Sequence, residues 1–172
     1  MDWNFRRWLH HEFMGPRALR KVLSAEALAR LGAVVTSSEK RHTGEIRLAV
    51  EASLHLPLLR PGISARERAV QVFSNLRVWD TEANNGVLIY LLLADRDVEI
   101  VADRGIHDAV GEAGWEDICK GMEADFRAGR FEDGLRAGIE RVAAHLAEHF
   151  RMTEENRDAD RNELPDAPFI LS

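Results

Sequence analysis

The 172-residue chain contains a single cysteine, Cys119. An internal disulfide is therefore excluded, and the composition fits a reducing compartment. No long apolar run is present; the longest, Gly86–Ala94, falls well short of the roughly 18 residues that a membrane-spanning helix needs. Arg6 and Arg7 are followed by Trp8, Leu9, His10, His11 and Glu12, not by the apolar core of a secretory leader. The charge balance is 23 basic against 29 acidic residues, a net −6, which argues against a general nucleic-acid binder. Also missing are a Gly-x-Ser-x-Gly elbow, a glycine-rich phosphate loop and a Cys-x-x-x-x-x-Arg loop. These absences exclude the usual nucleophilic-serine, nucleotide-phosphate-loop and cysteine-nucleophile enzymes.

The residues present are those of one ordinary globular domain, 45% apolar and 30% charged. Three regions differ in character. Residues 1–23 form a basic, aromatic, helical extension, and the first 24 residues carry a net charge of +3. Residues 24–150 hold all the periodic patterning. Residues 151–172 are acidic, with a net charge of −3 over 151–166 and almost no apolar content before the Pro168–Ser172 end; this is expected to be a frayed, flexible tail. Its last residues can either dock back or stay free.

In the central region Ser24 is placed to cap a helix carrying Leu28, Leu31 and Val35, which should end near 41–44. Residues 45–53 then alternate, with Ile46, Leu48 and Val50 on one face, as a strand does. Pro57 and Pro61-Gly62 mark a loop. Ser64 and Glu67 have the spacing of a capping box, and Ala69, Val72, Phe73 and Leu76 continue a helix to about Trp79. The strand Val87–Ala94, a turn at Asp95-Arg96-Asp97 and a strand over 98–103 form an antiparallel hairpin. Two apolar stripes, Trp115–Phe126 and Phe131–Phe150, predict two final helices. Strand, helix, strand is a right-handed crossover with parallel strands. The expected fold is an α/β/α sandwich, a small mixed sheet flanked by helices.

This topology has a consequence for function. The starts of the first two strands and the end of the third should share one edge of the sheet. Three polar segments then meet there: residues 39–45, 80–86 and 103–108. Nothing comparable is expected at the opposite end. Oxygen-bearing groups suit Ca²⁺ or Mg²⁺, and Asp80, Asn84, Asn85 and Asp103 supply them from adjacent loops. The two asparagines equally suit a turn that needs positive φ.

The same segments resemble a TPM domain. The resemblance rests on Thr43-Gly44-Glu45-Ile46, on Asn84-Asn85-Gly86-Val87-Leu88, on Asp95-Arg96-Asp97-Val98-Glu99-Ile100, on Arg104-Gly105-Ile106, and on the Phe126, Gly129, Phe131, Gly134 spacing. It covers about residues 30–150, and the order of the motifs is more specific than any one of them. Trp79-Asp80-Thr81 stands where relatives often have Gly-Ile-Gly, and residues 103–107 depart from a Gly-x-Gly-Leu-Glu run. The resemblance implies the sandwich fold, divalent-cation binding, an acid-phosphatase activity in some members and regulatory or assembly roles beside membrane complexes in others. Many relatives carry a leader before the domain and a transmembrane or glycine-rich tail after it; a stand-alone form with neither is the expectation here. Two functions are carried forward. One is a cation-binding interaction or regulatory module acting with a membrane-associated partner, cytoplasmic or peripheral at the membrane. The other is a metal-dependent acid-phosphatase-like hydrolase, in which Arg104 and His107 would contact the anion.

Other groups carry competing readings. Glu39, His42 and Glu45 can hold Zn²⁺ or Mn²⁺, or be a solvated helix end. Glu45 and Arg47 lie on a covered strand and need partners, with Glu99 and Asp103 as candidates. His145, Glu148 and His149 spell His-x-x-Glu-His, the inverted form of a zinc-protease signature; the protease itself is disfavoured, because the third ligand would have to come from a tail with little structure. Cys119 lies on an apolar stripe and reads as packing. Trp3, Phe5, Trp8, Leu9 and Phe13 among Arg6, Arg7, His10 and His11 suit an anionic membrane surface, or docking on the domain or on a partner.

Overall fold

The computed structural model describes residues 3–55, 59, 62–157 and 161–171, with side chains from residue 7 onward except that of His10. Pro57 and Pro61 of the expected loop, and the side chains of Trp3, Phe5, Arg6 and His10, therefore lie outside the described residues.

The chain begins with α1 (Trp3–Phe13), α2 (Pro16–Val22) and α3 (Ala25–Glu39). The Ser24 hydroxyl accepts from the Ala27 amide at 3.2 Å and starts α3. β1 (Ile46–Glu51) follows, then the helix Ala65–Asn75, named α4, and the hairpin β2 (Val87–Leu92) and β3 (Asp97–Ala102). The helix Arg104–Arg127, named α5, breaks at Gly111, where φ is +76°. Phe131–His149 is α6, Glu154–Arg157 is a short α7, and Phe169–Leu171 is β4.

The capping box at α4 is complete. Ser64 Oγ receives the Glu67 amide at 3.1 Å, and Glu67 Oε2 receives the Ser64 amide at 2.8 Å. Replacing Ser64 by alanine is expected to lower the unfolding free energy by about 1 kcal/mol, measured by urea denaturation; Glu67→Gln should cost less.

The sheet order is β3-β2-β1-β4. β1 pairs in parallel with β2, Ile46 opposite Val87, and β2 pairs antiparallel with β3. Every residue of β2 is buried, as an all-apolar strand covered on both faces must be. Ile46, Leu48, Val50, Val87, Ile89 and Leu91 face a core shared with α3, α5 and α6. Ala49, Leu88, Tyr90 and Leu92 face a second core closed by α4. The architecture is the expected sandwich.

The acidic tail departs from the expectation of a frayed terminus. Among its described residues, Met152 N–H donates to Arg41 O, and Leu164 is buried. β4 adds to the free edge of β1, with Ala49 opposite Phe169. The cause lies in β1. The guanidinium of Arg47 donates to the carbonyls of Pro165 and Ala167, and the Glu45 carboxylate accepts the amides of Glu163 and Leu164 at 2.9 and 3.2 Å. Both charges are buried, Glu45 just before the strand and Arg47 on it, and the tail backbone supplies the polar partners that buried charges require. The partners expected for them, Glu99 and Asp103, are engaged elsewhere: Glu99 faces Arg66 at 3.5 Å, and Asp103 caps α5 through the Arg104 amide at 2.7 Å.

Candidate functional site

Parallel pairing of β1 and β2, with antiparallel β3, brings three loops to one rim. Asn85 joins the first two, its side-chain amide donating to Thr43 O at 3.0 Å. The second and third are joined by the Asp103 amide, which donates to Gly86 O at 2.8 Å. The end of α6 closes the rim from below, where Phe150 O accepts the Thr43 amide at 2.9 Å. Two glycines permit this crowding. A Cβ on Gly86 would stand 2.0 Å from Val78 O, and one on Gly105 would stand 2.6 Å from Asn84 O. Positive φ falls on Asn84, at +53°, so that asparagine performs the turn role anticipated for the pair.

Three buried acceptor atoms at this rim have no hydrogen-bond partner among the described residues: His42 Nε2, Asn85 Oδ1 and Asp103 Oδ2. Their identity follows from the bonds already made. His42 Nδ1 lies 2.9 Å from the Gly44 carbonyl. A carbonyl only accepts, so Nδ1 carries the proton and Nε2 presents a bare lone pair. Burial, with Arg41 adding to it, pushes the imidazole down to about 4 against the opposing Gly44 bond, so the ring is neutral at pH 7. The Asn85 amide spends its N–H on Thr43 and leaves its oxygen bare. Asp103 uses Oδ1 on the α5 cap and leaves Oδ2 bare.

Other candidates go elsewhere. Asp80 is exposed and faces Arg77 at 3.8 Å, and Asn84 is exposed, so neither joins the buried set. Glu39, His42 and Glu45 do not converge, contrary to their reading as a metal triad. Glu39 accepts from the Ile46 amide at 3.3 Å, His42 bonds Gly44, and Glu45 holds the tail. Arg104 is exposed at the rim. His107 lines a different feature, a cleft of about 470 Å³ between β3 and α5, together with Asp97, Glu99, Trp115, Cys119 and Glu123. Burial and neighbouring acids raise the Asp97 and Glu99 carboxyls there. The same burial pushes the Cys119 thiol up to about 12. With so little thiolate, Cys119 is expected to react with a disulfide reagent at pH 8 far more slowly in the folded chain than in urea; equal rates would contradict its packing role.

The opposite end of the sheet is also occupied, which the sequence did not lead us to expect. Arg7 donates to both carboxylate oxygens of Asp95, at 3.0 Å or less to Oδ2. His11 Nδ1 accepts the Leu54 amide at 2.8 Å, so its Nε2 donates to Asp95 Oδ1 at 3.1 Å. Burial alone would raise the Asp95 carboxyl, but His11 and Arg7 outweigh it and hold it low. The first helix thus docks on its own domain. The clue lay in Arg7 and His11 being four residues apart, on one helical face.

A family model described as the TPM domain matches residues 18–145. The chain belongs to the TPM domain family. The NMR structure of BA42, a protein from the psychrophilic bacterium Bizionia argentinensis, is similar to this TPM domain at 32% identity, covering 87% of this chain and 95% of that one, with a TM-score of 0.74. The solution NMR structure of the N-terminal domain of a P. gingivalis protein shares the fold at 19% identity, covering 77% of this chain and 83% of that one, with a TM-score of 0.62. No curated protein matches. Among the described residues no helix is long and apolar enough to cross a membrane.

Proposed function

We propose that this TPM domain binds a hard divalent cation, Ca²⁺ or Mg²⁺, at the rim and works as a regulatory or interaction module with a membrane-associated protein partner. The observation that carries this reading is the set of three buried electron-pair donors without hydrogen-bond donors. Buried polar atoms are rarely left unpaired, and each such group calls for a missing partner. Three acceptors on adjoining loops suit a cation and its waters. Asp103 Oδ2 and Asn85 Oδ1 would ligate directly, in keeping with the oxygen preference of these ions. Neutral His42 Nε2 would accept from a coordinated water, since Mg²⁺ in particular keeps part of its hydration shell.

The set contains only one carboxylate. Few charged ligands mean weak, exchangeable binding, roughly in the 10⁻⁴–10⁻³ M range, which suits a module that responds to ion concentration. It suits hydrolysis less. A metal-assisted phosphatase needs a firmly held ion and a group to activate water, and His107, once paired with Arg104 for anion contact, lines the separate acidic cleft. Calorimetric titration with CaCl₂ and MgCl₂ tests the proposal. Wild type should bind one ion, and Asp103→Ala and Asn85→Ala should each weaken binding by about 10-fold or more. Turnover of p-nitrophenyl phosphate that is abolished by chelator would favour the hydrolase.

A further inference from the structure

Next to the rim, but apart from its three acceptor atoms, the last turns of α6 carry a donor set of a different kind. The ligand atoms of His145, Glu148 and His149 all lie within 4.8 Å of one another, and this is the only such group of three His, Cys, Asp or Glu side chains among the described residues. His149 Nε2 stands 3.9 Å from Glu148 Oε2. The spacing explains the convergence. Residues at i, i+3 and i+4 share one helical face, and two histidines four apart can chelate one ion.

We infer that His145, Glu148 and His149 form a site for a borderline transition-metal dication of the Zn²⁺ class. Two imidazoles and one carboxylate match that chemistry and do not match Ca²⁺ or Mg²⁺, which take oxygen ligands. The site is distinct from the rim in residues and in metal class. Its position adds to the case. All three residues sit in the last two turns of α6, which ends at His149, where the helix dipole favours a positive charge. His145 is half-buried and held by the ring of Trp115, edge-on at a centroid distance of 5.9 Å and an angle of 65°.

The site binds rather than cleaves. In zinc proteases the glutamate of such a motif is left free to act as general base, whereas Glu148 here is one of the three grouped ligands, so no base remains. Binding instead ties down the last turn of α6. That turn leads into Phe150, whose carbonyl holds the Thr43 amide, and then to Arg151, which bridges His42. The ion therefore staples the root of the acidic C-terminal tail.

The test is titration of ZnCl₂ into the full chain, free of any polyhistidine tag. Wild type should bind one Zn²⁺. His145→Ala and His149→Ala should each weaken binding by about 10-fold or more, since even residues that merely support a ligand carry that much, and the double variant should abolish it. All three residues are at least partly exposed, so circular dichroism should be unchanged in these variants. As an independent readout, Cu²⁺ or Ni²⁺ should quench Trp115 fluorescence in wild type, and the metal-dependent part should vanish in Trp115→Phe. Calcium titration of His149→Ala should match wild type, which separates failure here from failure at the rim. Absence of saturable Zn²⁺ binding in wild type, or undiminished binding in the double variant, overturns the inference.

Discussion

Replacing Arg68 by alanine is expected to destabilise the fold by about 3–5 kcal/mol, the range for stripping one partner from a buried ion pair. Arg68 forks onto Glu51 with bonds of 2.9 and 3.0 Å, and the Tyr90 hydroxyl donates to the same carboxylate at 2.6 Å. Glu51, the last residue of β1, is only 2% exposed and faces α4 through Arg68. Without Arg68 its charge has one hydroxyl partner and almost no water. The penalty comes from the orphaned carboxylate and not from any large intrinsic worth of the pair. It follows that Arg68→Met with Glu51→Gln should recover most of the loss, because a neutral amide and an apolar chain leave no buried charge. Tyr90→Phe should cost less than Arg68→Ala, removing one hydrogen bond to a charged group at about 1.5–3 kcal/mol. Urea denaturation of the four proteins decides this; an Arg68→Ala effect below about 1 kcal/mol would show that the pair is solvated.

Lowering the pH from 6.5 to 4 should remove about 3 kcal/mol of stability through His42 alone. Burial holds the folded imidazole down to about 4, against an ordinary value of 6.5. Between those values the unfolded chain binds a proton at His42 that the folded chain does not, so stability rises with pH. The contribution is complete above about 6.5 and is lost as pH falls through the folded value. Carboxylates titrate in the same range, so the informative quantity is the difference between wild type and His42→Gln, which cannot titrate. Chelator in the buffer keeps metal occupancy out of the comparison. A difference that stays constant from pH 7 to 4 would mean that His42 is open to water.

The elements were legible in the sequence because each obeys a local rule. Ser24 and Ser64 cap helices, 46–50 alternate, and 87–92 are apolar throughout, and the parallel and antiparallel pairings followed from their order. The sequence overran the ends, placing the close of α4 near Trp79 where it stops at Asn75. The start of α5 at Arg104 lay before its apolar stripe and went unread. The rim itself was legible, since three polar loops at one sheet edge follow from topology. Which of their side chains turn inward was not, for Asp80 and Asp103 differ in burial and not in chemistry. The docking of the acidic tail was missed for another reason. Glu45 and Arg47 announced that they needed partners, but those partners are main-chain amides and carbonyls, which leave no mark on a sequence. Asp95 looked like part of a tight turn, and its role as the anchor for α1 depends on contacts spanning 88 residues.

The central claim, a cation held at the rim, is tested most directly by following backbone amides by NMR during titration with CaCl₂ and then MgCl₂. The account predicts saturable shifts at Thr43, Asn85, Gly86, Asp103 and Arg104, with the acidic cleft of Asp97, Glu99 and Glu123 moving little. Shifts confined to that cleft, or no saturable shifts at the rim, would contradict it.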